Sequence, residues 1–306
     1  MTAMDTEVLV VGEALIDIVM PLEGEIAEHV GGSPANVAIG LARLGHPTTL
    51  ATRFGPDARG ERIRGLLEGE GVDLVPGSDA APRTSTALAR LDARKVATYE
   101  FDLDWQVDPT LVAPDGGHLH TGSIAATLPP GGAGVATIVA NSRPHATISY
   151  DPNARPSLMG DPADAVVPIE HLVGLSDVVK ASEEDVEWLY GATPGEAAER
   201  WAAMGPSLVM ITLGPDGVLV RCAGETRAFP TTDVTVADTV GAGDSFMSGV
   251  LSGLLDAGLL GGPAARERLR AASLANVTPA VERALACSNI TVSRAGANPP
   301  RREDLV

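Results

Sequence analysis

Lysine is almost absent from this 306-residue chain, occurring only as Lys95 and Lys180. Neither follows a glycine, so a Walker-type phosphate loop, which needs a Gly-Lys pair, is excluded. Cysteine is equally scarce. Cys222 and Cys287 stand far apart, with neither metal-ligand spacing nor a redox pair, and read as small buried hydrophobes. Aromatic residues make up only 3% of the chain, and no continuous apolar run approaches the about 18 residues of a membrane-spanning helix. The first residues are acidic and lead into no apolar core, so a signal peptide is not expected and a cytoplasmic location is. Positive charge is in deficit throughout: the net charge is −18 and the isoelectric point near 4.6, the opposite of what a phosphate-backbone binder needs. Neither nucleic acid nor a membrane is an expected partner. A polyphosphate ligand would need local help from helix ends, a divalent cation and individual basic residues.

What is present favours a large mixed core. At 306 residues and 44% hydrophobic, one large α/β domain is as compatible as two, and with no interdomain linker evident the chain is read as a single α/β domain over 1–306. Val8 to Val11 is a continuous aliphatic run, as in a strand buried on both faces of a parallel sheet. From His118 onward strands and helices alternate: 118–121, 132–141, 147–151, 178–181, 183–190 and 207–213. The alternation predicts a doubly wound, mostly parallel sheet with helices on both faces. Two short strands, 218–221 and 226–229, follow as a hairpin-like excursion, and 264–286 reads as one helical stretch. Residues 84–91 and 96–103 differ, because in Val96 to Leu103 polar and apolar residues alternate, the signature of a sheet wet on one face. They predict a small antiparallel β lid, built from about 18–30 and 84–104. Its exposed edge or face offers a surface for a second copy, so a homodimer through the lid is expected.

The most informative stretch is Asp238-Thr239-Val240-Gly241-Ala242-Gly243-Asp244-Ser245-Phe246. Apolar spacings of three and four residues beyond it predict a helix starting at or just before Ser245. Its amino end then lies among Gly241 to Asp244. Unpaired N–H groups and the macrodipole attract anions there, and glycines let a phosphate approach the main chain. An ionised Asp244 beside such a cradle could take a proton from an incoming alcohol while the Gly241, Ala242 and Gly243 segment stabilises a transferring phosphoryl group. The competing reading is that Asp244 simply caps the helix. A second glycine site, Gly31-Gly32-Ser33-Pro34-Ala35-Asn36, opens another helix of small residues that stops at Gly45.

The two segments together resemble the paired signatures of the ribokinase-like (PfkB) sugar kinases, one near each end of the chain, and the resemblance runs from roughly Val8 to Pro300. It implies ATP-dependent phosphorylation of a sugar hydroxyl, with ATP, Mg2+ and K+ as cofactors. Asp17, in Gly12-Glu13-Ala14-Leu15-Ile16-Asp17, falls where the family contacts sugar hydroxyls, and Gly31, Gly32 and Asn36 match its other sugar contacts. Asp151-Pro152-Asn153-Ala154-Arg155 resembles an element of the fructokinase and ketodeoxygluconate kinase branches, placing Asn153 and Arg155 on the sugar or phosphate side. A turn with a solvated arginine is the plainer reading. Thr212, Gly214 and Gly217 resemble the nucleotide loop. The family's Asn-x-x-Glu element, which helps organise magnesium and phosphates, is altered: counting from Lys180 gives Ser182-Glu183-Glu184-Asp185. Lys180, Ser182 and Asp185 are thus nucleotide-side residues by resemblance, against a solvated lysine and an ordinary helix cap. Asp238 and the Val240 carbonyl match a monovalent-cation site closed by carbonyls near Arg294 and Gly296.

Tyr99-Glu100-Phe101 with the Asp-Pro-Asn element looks most like fructokinase, so fructose is the expected acceptor, ahead of ketodeoxygluconate, ribose or a nucleoside. A nicotinamide dehydrogenase is set aside, because Gly241 to Phe246 lacks the third glycine of its fingerprint. A catalytically silent nucleotide- or sugar-binding regulator is the alternative from another class.

Overall fold

The computed structural model describes residues 6–21, 25–91 and 97–305. In chain order the elements are β1 Val8–Val11, β2 Leu15–Met20, β3 Ala27–Gly31, α1 Ser33–Arg43, β4 Thr48–Ala51, α2 Ala58–Gly69, β5 Val72–Leu74, β6 Thr86–Leu91 and β7 Ala97–Asp102. There follow β8 His118–Gly122, α3 Gly131–Ser142, β9 Thr147–Asp151, α4 Pro156–Met159, α5 Pro162–Leu175, β10 Val178–Ser182, α6 Glu183–Tyr190, α7 Pro194–Ala202, β11 Leu208–Thr212, β12 Val218–Cys222, β13 Glu225–Phe229, α8 Ala242–Asp256, α9 Pro263–Ala271 and α10 Leu274–Val292.

The large sheet runs β13-β12-β11-β10-β9-β8-β1-β4-β5. From β11 to β5 all pairings are parallel, while β12 and β13 close one edge antiparallel. The period of two along β1 sorts the core. Val8 and Val10 face a layer with residues of α1, α2, α8 and α10, whereas Leu9 and Val11 face residues of α3, α5, α6 and α7. β1 is therefore apolar on both sides, which is why Val8 to Val11 reads as an unbroken run. Strand order reverses between β1 and β8. The crevice beyond the carboxyl ends of these strands is the usual ligand position in a doubly wound sheet.

The small sheet has the order β3-β2-β6-β7. Its outer pairings, β2 with β3 and β6 with β7, are antiparallel, and its central pair β2–β6 is parallel, because β6 returns only after the chain has passed through β4, α2 and β5. Residues 22–24 and 92–96 of the expected lid, Lys95 among them, lie outside the described residues. Asp57 ties this sheet to the body: it caps α2 through the N–H groups of Arg59 and Gly60 and also accepts bonds from the Thr84 N–H and hydroxyl.

The expected single helix over 264–286 is two helices. Ser273 is extended and forms a reciprocal capping box with Asn276, which starts α10 afresh. Helices α5 and α7 were not expected, although Thr193-Pro194-Gly195-Glu196 carries the cap, first-turn proline and capping-box acid of a helix start. Among the described residues no helix is long and apolar enough to cross a membrane.

Candidate active site

The amino end of α8 is open. Its N-cap, Gly241, is left-handed at φ 75°, and a Cβ there would lie 2.6 Å from Ala297 Cβ, so only glycine makes the turn. The Ala242 N–H donates to the Thr239 carbonyl, and helical bonding begins with the Ser245 N–H to Gly241 at 2.8 Å. No side chain caps the helix. The Gly243 and Asp244 N–H groups have no hydrogen-bond acceptor among the described residues, and Gly241 to Gly243 are half-exposed. Of the three residues expected to form the anion cradle, Ala242 thus already uses its N–H in a turn.

Asp244 does not cap the helix, which removes the plainer reading of its role. Its Oδ1 accepts the Ser33 hydroxyl at 2.6 Å and its Oδ2 the Asn36 amide at 2.8 Å. Both donors stand in the first turns of α1, which approaches α8 closely because Gly40 faces Ser248: a Cβ on Gly40 would lie 2.3 Å from the Ser248 hydroxyl. Gly32 at φ 107° starts α1, and a Cβ there would lie 2.4 Å from the Glu13 carbonyl oxygen. Asp17 sits within β2 and lies against Gly31, where a Cβ would come 1.9 Å from its Oδ2. Burial pushes the Asp17 carboxyl up to about 6; Arg155 and His29 pull it down, and Asp244 adds a smaller upward push. Asp17, Gly31, Gly32, Asn36 and Asp244 thus line one region.

The Asp-Pro-Asn turn lies at the end of β9. Asn153 is at φ 37°, and the exposed Arg155 donates to the Asn153 side chain at 2.8 Å and to the carbonyls of Asn153 and Ala154. Its charge acts on Asp17 and Glu13. Lys180 is buried rather than solvated. Its Nζ donates to Asp151 Oδ2 at 3.0 Å and sits 2.9 Å from where a Cβ on Gly243 would be. Ser182 and Asp185 form a capping box at the start of α6, and Asp185 also accepts the Ala154 N–H at 2.8 Å. The helix-cap reading of this pair therefore holds, and each carboxylate oxygen retains capacity for a second donor.

Thr212 donates to the Ala181 carbonyl at 3.3 Å, and Gly214 and Gly217 follow with φ 56° and 99°. Gly217 is structural, since a Cβ would meet the Phe229 carbonyl at 2.1 Å. Asp238 accepts the N–H groups of Val240 at 3.1 Å and Gly296 at 2.9 Å, which hold its pKa low and bring the two expected cation-binding loops together. Arg294 contributes its guanidinium to Asp304. Among the described residues no group of three or more His, Cys, Asp or Glu could hold a metal ion. A divalent ion would take most of its ligands from phosphates and water.

Three residues at the site escaped the sequence reading. Ser33 lies in the Gly31-Gly32-Ser33-Pro34 stretch, and its position before a proline in a helix start is the available signal. Asp151 was read only as part of a turn. Glu13, buried behind Gly32, accepts the Ala125 N–H at 3.2 Å, and burial raises its pKa to about 7 against the hydrogen bonds that lower it; a glutamate after a buried strand was the only hint.

A family model described as pfkB family carbohydrate kinase matches residues 5–304. A fructokinase from Klebsiella pneumoniae is 35% identical over 266 residues, covering 84% of this chain and 87% of the relative, and one from Escherichia coli is 34% identical over 271 residues, covering 84% and 87%. The fold is similar to that of a Vibrio cholerae O395 fructokinase double mutant in its fructose-, ADP- and potassium-bound form, with a TM-score of 0.80, 28% identity and coverage of 95% of this chain and 94% of that one. It is also similar to an aminoimidazole riboside kinase from Salmonella enterica complexed with aminoimidazole riboside and an ATP analogue, at TM-score 0.79, 25% identity and 98% coverage of both. With the two glycine sites meeting around one carboxylate, and with relatives matched along nearly the whole sequence, this chain belongs to the pfkB family of carbohydrate kinases.

Proposed function

We propose that the chain transfers the γ-phosphoryl group of ATP to a primary hydroxyl of fructose. The observation that carries the reading is the Asp244 carboxylate, buried at the open end of α8 and bonded to side chains of α1 rather than to its own helix. Asp17, Gly31, Gly32 and Asn36 would hold the sugar, with Asn153 beside them, so that one hydroxyl faces Asp244, which accepts its proton as the oxygen attacks. The Gly241 to Gly243 turn and the Lys180 ammonium would face the charge on the transferring phosphoryl, while Thr212, Gly214, Gly217 and the Ser182–Asp185 pair border the nucleotide. Alignment and charge stabilisation are most of what phosphoryl transfer asks of a protein.

Mg2+ bound with the nucleotide would neutralise phosphate charge beside Asp151, Asp185 and Asp244. K+ would sit between the Asp238–Val240 and Arg294–Gly296 loops. Arg155 is engaged by its own turn, and the neighbouring carboxyls are Asp17 and Glu13. That balance favours a neutral acceptor such as fructose over the ketodeoxygluconate anion. The small sheet would close over the sugar and exclude water.

We read residues 1–306 as one catalytic unit in the cytoplasm, with 18–30 and 84–104 as its lid. Strands β3 and β7 form the outer edges of the small sheet, and Ile26 is exposed before β3, which supports a homodimer through that lid. A coupled assay of ADP release over fructose, ketodeoxygluconate, ribose and adenosine, with and without magnesium and potassium, tests the reading. Fructose should give the highest kcat/KM. Silence across the whole panel would instead favour a binding regulator.

A further inference from the structure

Behind the phosphate end of the site lies a column of polar groups buried in the sheet. Thr147, Ser149 and Asp151 alternate along β9, beside His118 and His120 of β8 and Lys180 of β10, and all six are buried. His118 bonds Thr147 at 2.9 Å and Ser149 at 2.8 Å, and His120 bonds Ser149 at 2.9 Å. Burial lowers both imidazoles to about 3, so this part of the column is neutral. Lys180 is its cation. Burial alone would discharge that ammonium, and the positive end of α8 beside Gly243 is an unfavourable neighbour for it. The carboxylates of Asp151, Asp185 and Asp244 more than offset the burial and hold Lys180 charged. Two of the three are engaged elsewhere, Asp185 with the N–H groups of Ala154 and Ser182, and Asp244 with Ser33 and Asn36. Asp151 bonds the ammonium directly through Oδ2, and its Oδ1 accepts the Asn153 N–H at 3.2 Å.

We infer that Asp151 is a positioning residue for phosphoryl transfer, its carboxylate aiming the Lys180 ammonium at the first turn of α8. This rests on the kinase reading of the site. Both carboxylate oxygens of Asp151 are engaged within the protein, so its role is to act through Lys180, whose side chain would otherwise fold away from a like-charged helix end.

A double-mutant cycle isolates that dependence. Asp151→Asn keeps an acceptor for the Asn153 N–H and loses the charge, and Lys180→Met keeps the length and loses the ammonium. Each change should lower kcat about 100- to 1,000-fold, the range for losing one charge-stabilising donor, with the fructose KM within about two-fold. The double variant should be no slower than Lys180→Met alone. Affinity for a non-hydrolysable ATP analogue with Mg2+, measured by calorimetry, should fall in both single variants and no further in the double. That readout survives even if no sugar on the panel is phosphorylated by the unaltered protein, which would refute the function and not the pairing. Multiplying effects in the cycle, or an Asp151→Asn change that raises the fructose KM while kcat and analogue affinity hold, would overturn the inference. Removing both charges together leaves no unpaired buried ion, so the double variant guards against reading misfolding as mechanism.

Discussion

Asp238 and Asp244 stand in the same glycine-bearing segment, yet their hydrogen bonds come from opposite sources. Asp238 is held by main-chain N–H groups of Val240 and Gly296, which favour its charged form and stitch two loops together. Asp244 is held by the side chains of Ser33 and Asn36 from another helix, beside helix N–H groups that stay open. Bonds from the backbone are hard to exchange, whereas a hydroxyl and an amide can rotate toward an arriving substrate. The same residue type is thus a brace between loops at one position and a carboxylate held only by side chains at the other.

The largest effect should come from Asp244→Ala, which leaves no proton acceptor and should lower turnover at least about 100-fold, the scale of general-base losses. Ser33→Ala removes one of the donors that orient the carboxylate; a kcat lowered about 10-fold is expected from a lost bond to a charged group, with Ser33→Thr restoring most of it. Asp238→Ala should cost turnover only a few-fold at saturating potassium and should steepen the potassium dependence, read by titrating KCl in the coupled assay. Equal losses at 238 and 244 would erase the distinction drawn between them.

Asp17 gives a pH signature. Its carboxyl is raised to about 6, so it is charged at neutral pH and becomes protonated as the pH falls through about 6. The fructose KM should therefore rise below about pH 6, and Asp17→Asn should show a weaker affinity without that inflection. The smallest effect on chemistry, and a visible one on stability, belongs to Glu13. Its folded value of about 7 lies above its ordinary 4.5, so the folded state holds a proton that the unfolded chain gives up, and stability is lost as pH rises through that window. Glu13→Gln removes the cost, on the order of 3 kcal/mol at pH 8, and melting curves should show a gain in Tm at pH 8 that shrinks toward pH 4.

Much of this was legible in the sequence because the determinants are local. Val8 to Val11 announces a strand buried on both sides, and Gly241 to Asp244 announces a helix end within a few residues of its true start. The break at Ser273 was equally local but was hidden by an apolar pattern that continues across it. What could not be read is long-range pairing. Nothing along the chain links Ser33 to Asp244 or Asp151 to Lys180, since those contacts exist only once α1 meets α8 and β9 lies beside β10. The parallel central pair of the small sheet is hidden for the same reason, because alternation reports a wet face and not the direction of the neighbouring strand.

The central claim is that the Asp244 carboxylate takes the proton of the sugar hydroxyl. Asp244→Asn keeps the shape and the bond from Ser33, so fructose binding by calorimetry and turnover by ADP release should part company in this variant. The account predicts fructose affinity within a few-fold of the unaltered protein and turnover lowered about 100-fold or more. Turnover near the unaltered rate, with fructose still bound, would contradict it.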